Sequence, residues 1–410
     1  MQSYDIVIVG GGMVGLTAAL AICKQTPLKV AIIDNMPLNP IGDAPHLRVS
    51  AINDASKQLF TNLGVWDAIT SVRSQAYTNM HVWDKDGFGH LDFDLSDLPN
   101  SANNDDCLGT IIENDVIRNA LYQAVEQHDN ITLIKQTLTS IGTGESEVFL
   151  SFSEHTPIIA KLVIGADGAN SWVRKQLDMA MTFRDYDHHA VVASVDCSQG
   201  HQKTAWQVFL DTGPLAFLPL YQQNTCSIVW SLPPAEAMRV KALSAEDFNK
   251  EITAASDGKL GQVSLQSERV SFPLTMRIAR EFVKDRVILI GDAAHTIHPL
   301  AGQGVNLGLV DASALAQTIV STLNDGKELN DNKLLGHFSR WRKSDATEMI
   351  AAMESIKQGF SLQQVLPKFI RGIGMSVLNN ISPLKQLLIK QAMGQTTNLP
   401  ELSKVKDPLL

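Results

Sequence analysis

Cysteine is scarce in this sequence, and its few copies are widely separated. The four cysteines form no Cys-x-x-Cys pair and no spacing typical of metal ligands; they are Cys23, Cys107, Cys197 and Cys226. This distribution argues against a dense disulfide framework and against a cysteine-based zinc site. His295 and His298 lie three residues apart, but no suitable third ligand accompanies them, so we predict no metal site. The pattern favours a reduced, cytoplasmic protein.

The sequence also lacks long apolar runs and an excess of positive charge. No uninterrupted apolar stretch reaches about 18 residues, so no transmembrane helix is predicted. The first residues show no basic segment followed by an apolar one, so no secretory signal is predicted. The net charge of -9 argues against nucleic acid as a partner. The length of 410 residues predicts two or three domains.

Glycine, by contrast, is concentrated near the start of the chain. A β-branched apolar run at residues 6–9 predicts a buried parallel strand, and Gly10, Gly12 and Gly15 follow it in the spacing Gly-x-Gly-x-x-Gly. A helix is predicted next, with the N–H groups of its first turn available to phosphates. Asp34 ends the second predicted strand, where an acid can bind the hydroxyl pair of a ribose. These features predict a dinucleotide site with an unphosphorylated ribose, and they leave NAD and FAD both open.

Two later strand ends carry further pairs of glycine and aspartate. An Asp-Gly pair at Asp167 follows one apolar strand, and a Gly-Asp pair ending at Asp292 follows another. Because ligands of open α/β sheets bind at the carboxyl ends of the strands, Asp292 is placed to contact a ligand. A helix predicted over about residues 303–320 begins near Gly304 and offers free N–H groups to a polar ring edge.

In this order, the three segments resemble those of the class A flavoprotein aromatic hydroxylases, the para-hydroxybenzoate hydroxylase type. The resemblance implies an α/β fold, in which a Rossmann-like FAD-binding domain carries an inserted β-sheet substrate domain and is followed by C-terminal helices. It also implies FAD as the cofactor and NAD(P)H as a co-substrate that binds transiently. A plain NAD dehydrogenase would not need the second and third segments.

The family's cofactor contacts transfer to this chain by matching positions. The glycine loop and Asp34 would hold the ADP half of FAD, and Asp292 would bind a hydroxyl of the ribityl chain. The backbone of residues 301–306 would surround the flavin ring. The positions that we assign to that loop are Gly302, Gly304 and Asn306.

The remaining site residues also rest on the resemblance. Arg118 matches an arginine that contacts FAD, and Arg48 is similar to an arginine near the isoalloxazine. Asp167 would be mainly structural, with a part in nicotinamide use. The backbone near His298 and Pro299 would lie between ring and flavin, with the Pro299 carbonyl accepting a hydrogen bond from the phenol. For the histidines of this loop, shaping the loop is favoured over a catalytic proton role.

Further stretches are similar to the ubiquinone-biosynthesis hydroxylases, from residue 1 to about residue 395. The most specific is HTIHPLAGQGVN at residues 295–306; others are residues 47–53, 82–85, 88–90, 216–220 and 226–232. Within this family the chain is most similar to members that act on a 2-polyprenylphenol. The similarity implies NAD(P)H- and O2-dependent hydroxylation of the ring through a flavin hydroperoxide. Three alternatives stay open: another ring carbon, a soluble aromatic acid as substrate, and a flavin-binding accessory protein without turnover.

The apolar pattern suggests where the domains begin and end. From about residue 182, short strand-like runs separated by polar turns predict an inserted sheet. We assign residues 1–75, 101–181 and 274–338 to the FAD-binding domain, 76–100 and 182–273 to the substrate domain, and 339–410 to a C-terminal helical region. The large aromatic residues of the predicted sheet either line the ring pocket or pack in a core, and the core is favoured; they are Trp206, Phe209, Phe217 and Trp230.

The C-terminal region lacks acidic residues over a long stretch. None occurs between Glu354 and Glu401, although basic and apolar residues are frequent there. In an otherwise acidic chain, this predicts that residues 357–394 contact an anionic bilayer, pack on the FAD-binding domain, or do both. We therefore expect peripheral attachment to the inner face of the membrane. The family resemblance also implies a ubiquinone-biosynthesis complex or a homo-oligomer.

Overall fold

The computed structural model describes residues 2–97, 107–297, 304–361, 374–375, 379, 381–396 and 398–404. The strands in these ranges are β1 (Gln2–Val9), β2 (Val30–Ile33), β3 (Val49–Ile52), β4 (Gln75–Tyr77), β5 (Asn79–Asp84), β6 (His90–Asp94), β7 (Gly109–Glu113), β8 (Ile131–Ile134), β9 (Leu138–Thr143), β10 (Val148–Phe152), β11 (Ile158–Gly165), β12 (Met181–Cys197), β13 (Thr204–Leu210), β14 (Gly213–Pro219), β15 (Thr225–Leu232), β16 (Val263–Leu265), β17 (Val270–Ala279), β18 (Val283–Lys284), β19 (Val287–Leu289) and β20 (His295–Thr296).

The α-helices in the same ranges are α1 (Met13–Gln25), α2 (Asp54–Leu63), α3 (Trp66–Thr70), α4 (Asn114–Glu126), α5 (Trp172–Gln176), α6 (Pro234–Ala242), α7 (Ala245–Ala255), α8 (Gly304–Asn324), α9 (Asn332–Ser361) and α10 (Ser382–Ala392). Short 3-10 turns occupy Leu95–Asp97, Gly291–Ala293 and Glu401–Ser403.

The first sheet is built around parallel strands in the order β19-β11-β1-β2-β8. Strands β18, β10 and β9 extend it by antiparallel pairing. The register aligns Val9 with both Ile33 and Gly165, and Gly165 with Leu289. The carboxyl ends of four strands therefore meet at one edge, which is where ligands bind in folds of this kind.

The second sheet has nine strands, with the path β20-β17-β12-β15-β14-β13-β5-β6 and β16 paired to β12. All its pairings are antiparallel except that of β13 with β5. A small antiparallel sheet, β3-β7-β4, is separate from both. The strand-like runs predicted between residues 190 and 232 are thus strands of one large sheet.

Each sheet is stabilised by burial of its apolar side chains. In the first sheet, β1 and β2 read as almost continuous buried runs, as expected for parallel strands covered on both faces. Helices α1, α4 and α8 contribute to the apolar core on one of these faces. The second sheet packs one face on α6 and α7, where Phe248 and Ile252 are fully buried.

The C-terminal part differs in detail from the predicted division. The boundary predicted between residues 338 and 339 lies inside one continuous helix, α9. Helix α10 buries Ile389 and Met393 against Leu108. The division into domains stays a prediction. Among the helices described, none combines the length and the apolar character needed to cross a bilayer.

Candidate functional site

A cleft of about 500 Å³ separates the carboxyl edge of the first sheet from the second sheet. The turns that follow β1, β11 and β19 line one side, together with the start of α8. Strands β12, β14, β15 and β17 line the other side, and residues 47–50 close one end. The three glycine-containing segments, which are up to about 280 residues apart in sequence, therefore face one cavity.

The three glycines of the Gly-x-Gly-x-x-Gly motif are glycine for different physical reasons. Gly10 has φ +112°, and a Cβ there would lie 2.4 Å from the carbonyl oxygen of Ala166. A Cβ on Gly15 would lie 2.0 Å from the carbonyl oxygen of Gly10. A Cβ on Gly12 would meet nothing within 4 Å, and Gly12 lines the cleft. Gly10 and Gly15 are thus required by packing within the protein, whereas the space at Gly12 is open to a ligand.

Asp34 and Arg118, which the sequence suggested separately, are in direct contact. Asp34 Oδ2 accepts a hydrogen bond from Gly11 N at 2.9 Å and lies 3.2 Å from Arg118 Nη2. Arg118 also donates to the carbonyl oxygens of Gly11, Met36 and Pro37, at 2.8–2.9 Å. The pair holds the glycine loop against the segment that follows β2, and so fixes the acid beside the loop.

Asp167 has a structural role in its turn. Its Oδ2 accepts hydrogen bonds from the backbone N–H groups of Trp172 and Val173, at 2.7 and 3.0 Å, and so caps α5. The buried Arg174 donates to the carbonyl oxygens of Ala169 and Ala293, which joins this turn to the Gly-Asp turn. The mainly structural role of Asp167, with a part in nicotinamide use, stays a prediction.

Asp292 presents a carboxylate to the cleft. Among the described residues it has no hydrogen-bond partner, and it is exposed to the cleft while protein lies on its other sides. Burial raises the pKa of the Asp292 carboxyl above its ordinary value, while His295, Arg48 and Arg277 act in the opposite direction. Arg48 lines the same cleft and is exposed to it. The carboxylate is therefore available to accept hydrogen bonds from hydroxyl groups of a ligand.

A buried network behind this turn was not predicted from the sequence. Asp311 Oδ2 accepts from Gly291 N at 2.9 Å and lies 2.6 Å from His295 Nε2, while Arg342 Nε donates to Asp311 Oδ1 at 2.6 Å. The side chains of His295, Asp311 and Arg342 are almost fully buried. Burial alone would raise the pKa of Asp311, but His295 and Arg342 outweigh it and hold that pKa below its ordinary value. The signal in the sequence is Asp311 itself, the one acid within the apolar helix α8. A buried acid needs a partner, so its position could have indicated a buried basic residue.

The network bears on the predicted role of the histidines. His295 is engaged by Asp311 inside the protein, so its geometry supports shaping of the Gly-Asp turn and not proton transfer at the cleft. The other predicted residues of this loop, His298, Pro299 and Gly302, lie outside the described residues. Their contacts remain predictions.

The start of α8 is held in place by Asn306. Its side-chain amide donates to the carbonyl oxygen of Ala51 at 2.7 Å and accepts from Asn53 N at 3.2 Å. The side chain of Asn306 is therefore occupied by the protein, and a contact with a flavin would come from its backbone. Gly304 lines the cleft, and a Cβ there would meet nothing within 4 Å.

The sheet side of the cleft is largely apolar. Its lining includes Val192, Leu218, Val229, Phe272 and Leu274. None of the four aromatic residues weighed for this role belongs to the lining: Phe217 and Trp230 are buried in the core on the opposite face, Trp206 packs against that core, and Phe209 is also buried. Core packing was the favoured interpretation for these residues.

The residues present fit FAD. The open space at Gly12 and the first turn of α1, which no side chain caps, suit a pyrophosphate. The free carboxylate of Asp292 suits a hydroxyl of the ribityl chain. Within the described residues, no group of three or more histidine, cysteine, aspartate or glutamate side chains is arranged to hold a metal.

Comparisons with known proteins agree with this geometry. The family model described as FAD binding domain matches residues 3–352. The 3-demethoxyubiquinol 3-hydroxylase of Escherichia coli (strain K12) is 35% identical over 396 residues, covering 96% of this chain and 99% of that enzyme. The mitochondrial ubiquinone biosynthesis monooxygenase COQ6 of Homo sapiens is 31% identical over 436 residues, covering 94% of this chain and 92% of that protein.

Among solved structures, p-nitrophenol 4-monooxygenase PnpA from Pseudomonas putida DLL-E4 has a TM-score of 0.76 with 19% identity, covering 96% of this chain and 99% of that chain. This likeness shows the fold. Because the family model matches residues 3–352, the chain belongs to the FAD binding domain family. Within that family it is an FAD-dependent aromatic monooxygenase of the group that contains the ubiquinone-biosynthesis hydroxylases. The predicted fold class, family and FAD cofactor are confirmed, and NAD(P)H is the co-substrate typical of such enzymes.

Proposed function

We propose that this protein hydroxylates the aromatic ring of a polyprenylphenol in ubiquinone biosynthesis, using NAD(P)H and O2. The observation that carries the proposal is the shape of the cleft: Gly12 and Asp292 line one side, and an apolar wall lines the other. A hydroxylase needs such an arrangement, because the ring must be held against the cofactor while water is excluded.

The proposed roles follow from the contacts. Gly12 and the first turn of α1 bind the pyrophosphate, and Asp34, braced by Arg118, binds the ribose. Asp292 accepts a hydrogen bond from the ribityl chain, and Arg48 lies near the ring system. Bound FAD supplies the activation of O2. The wall of Val192, Leu218 and Val229 orients the phenol ring, and backbone at His298 and Pro299 completes the contact as predicted from the sequence.

The test is NAD(P)H oxidation by the FAD-loaded protein in air. We expect the rate to rise when a short-chain 2-prenylphenol is added, with a hydroxylated product in near-equal amount. Para-hydroxybenzoate, a soluble aromatic acid, serves as the competing substrate. Stimulation by the acid and not by the phenol would contradict the proposal, and so would FAD binding without turnover of either compound.

A second candidate is a related hydroxylase that acts on another carbon of the ring. The 35% identity to the Escherichia coli enzyme named for 3-demethoxyubiquinol favours it. In cells that lack this protein, the quinone intermediate that accumulates identifies the blocked carbon. A missing hydroxyl at the first position supports the 2-polyprenylphenol, whereas accumulation of a demethoxy intermediate supports the alternative.

We also propose peripheral contact with the inner face of the membrane through residues 357–394. Helix α10 buries Ile389 on one face, while Leu384 and Leu387 are exposed on the other, together with Ile381 just before the helix. Packing and membrane contact can therefore use different faces. The pair Leu384→Ser and Leu387→Ser should weaken binding to anionic vesicles, whereas Met238→Ser, which changes an exposed apolar residue on α6, should not. Equal vesicle binding by the wild type, the double variant Leu384→Ser with Leu387→Ser, and the control Met238→Ser would contradict the proposal.

A ubiquinone-biosynthesis complex or a homo-oligomer also remains a proposal. The apolar face of α10 is one surface through which it could form. The test measures the molecular mass of the assembly that contains the protein, once with the purified protein and once in a cell extract.

A further inference from the structure

One strand of the cleft wall breaks its apolar character with a serine. Along β15, Cys226, Ile228 and Trp230 point into the core beneath the sheet, whereas Ser227 and Val229 line the cleft. This alternation follows from the two-residue period of a strand. Across the sheet, Ser227 is paired with Ser194 on β12 and with Leu218 on β14.

The hydroxyl of Ser227 has no hydrogen-bond partner in the described part of the chain. The residue is 1% exposed, and its Oγ is buried. Native proteins satisfy nearly all buried polar groups, and an unsatisfied one at a binding cavity calls for an explanation. A ligand that fills the cleft can supply the missing partner.

The rest of the wall shows which chemistry that partner has. This wall contributes two other polar side chains, Thr275 and Arg277. Thr275 is partly exposed, and Arg277 donates hydrogen bonds to the carbonyl oxygen of Ala169 and to the side-chain oxygen of Asn170. The arginine is thus engaged at the edge of the wall.

Next to Ser227, Leu218 and Val229 are apolar, whereas its cross-strand neighbour Ser194 carries another buried hydroxyl without a partner among the described residues. A neutral oxygen needs only one hydrogen-bond donor, which a single serine hydroxyl supplies, and the exposed cation of the cleft, Arg48, is not contributed by this wall.

A second buried hydroxyl without a partner lines the same cleft, on the edge strand of the second sheet that adjoins the Gly-Asp turn. Thr296 lies on β20, the strand that pairs with Arg277, and it follows the Gly-Asp turn closely in sequence. Ser227 differs from Thr296 in its apolar neighbours within the wall, which are Leu218 opposite it on β14 and Val229 on its own strand.

We propose that Ser227 is a substrate-binding residue that donates a hydrogen bond to a neutral oxygen substituent on the aromatic ring. The inference rests on the proposed function, because it takes the ring to be an uncharged phenol. It assigns to Ser227 the selection of rings that carry a neutral oxygen over plain hydrocarbons.

The test compares two ligands and two variants. The ligands are 2-geranylphenol and geranylbenzene, which differ by one hydroxyl, and binding is read from the absorbance change of the bound flavin. Ser227→Ala should weaken phenol binding about three- to tenfold, as expected for one neutral hydrogen bond, and leave geranylbenzene binding unchanged. Ser231→Ala is the matched control: Ser231 lies four residues further on the same strand, is similarly buried and unpartnered among the described residues, and is not part of the cleft lining.

The outcomes separate this inference from the proposed function. If the wild type binds and hydroxylates the phenol while Ser227→Ala binds it equally well, the inference alone is overturned. If both alanine variants weaken both ligands to the same degree, the effect is one of packing and the inference is likewise overturned. If the wild type neither binds nor hydroxylates the phenol, the proposed function fails and the inference with it.

Discussion

The open space at Gly12 leads to the prediction that tests the cofactor site most closely. Replacing Gly12 by valine should abolish FAD retention without unfolding the protein. The backbone angles of Gly12, φ −78° and ψ 177°, are extended and accessible to valine. Its Cβ would meet no protein atom within 4 Å, so the added atoms enter the cleft and not the core.

The expected magnitude follows from the contacts that the valine blocks. The first turn of α1 offers backbone N–H groups to a pyrophosphate, and each hydrogen bond to a charged group contributes about 1.5–3 kcal/mol. Losing two of them costs about 3–6 kcal/mol, which corresponds to a weakening of FAD binding by about 10²- to 10⁴-fold. The assay is quenching of FAD fluorescence on titration with the apoprotein, combined with thermal unfolding of the apoprotein.

Gly15→Ala is the informative comparison. Its Cβ would approach the carbonyl oxygen of Gly10 to 2.0 Å, so this change should lower the unfolding temperature of the apoprotein itself. Gly12→Val should leave that temperature unchanged. A Gly12→Val protein that binds FAD within about threefold of the wild type, well short of the loss worked out above, would refute this reasoning.

Three further predictions concern individual carboxylates and one histidine. Asp311→Ala removes the buried acceptor that Arg342 Nε, Gly291 N and His295 Nε2 share, although Arg342 keeps its contact with Asp345. It should lower the free energy of unfolding by about 3–5 kcal/mol in urea titrations; a loss below about 1 kcal/mol would contradict the network. Asp292→Ala should weaken FAD binding about tenfold or more, because a charge-assisted hydrogen bond to the cofactor is lost. The stability of the apoprotein should stay equal or rise, because this carboxylate has no partner among the described residues. Equal affinity of the variant and the wild type for FAD would contradict the role of Asp292. Burial, with Lys259 at 2.9 Å from Nε2, lowers the pKa of His81 below its ordinary value against the opposing effect of Asp92. The unfolded chain then binds more protons than the folded one near the ordinary histidine pKa, so stability should fall as the pH drops from about 7.5 to about 5.5. His81→Asn should show a smaller fall in the urea midpoint, and an identical fall would contradict the assignment.

The local features of the site were predictable from the sequence because they depend on short stretches. The glycine spacing, the strand before it and the acid at Asp34 are all set by neighbouring residues, and the structure places them at one edge of a sheet. The contact of Asp34 with Arg118 joins residues 84 positions apart, and its geometry depends on how α4 packs. Local patterns carry no information about such packing.

The substrate side was less accessible to prediction for a related reason. Strand β14 is apolar on both faces, so its sequence does not show which face is covered by α6 and α7 and which faces the cleft; on β15 the serines at 227 and 231 distinguish the two faces. Large aromatic residues attracted attention, but they fill the core, and the cleft is lined by smaller residues such as Val192 and Ser227. Likewise, Asp311 and Arg342 belong to no local motif, because their partnership forms only when α8 and α9 pack together.

We propose above that this cleft transfers one oxygen atom from O2 to an uncharged phenol ring. The most direct measurement supplies ¹⁸O2 to the FAD-loaded protein with NAD(P)H and 2-geranylphenol, and determines the mass of the product. We expect one atom of ¹⁸O on the ring of each product molecule. Oxidation of NAD(P)H with hydrogen peroxide as the only oxygen product, or a ring that carries oxygen from water, would contradict it.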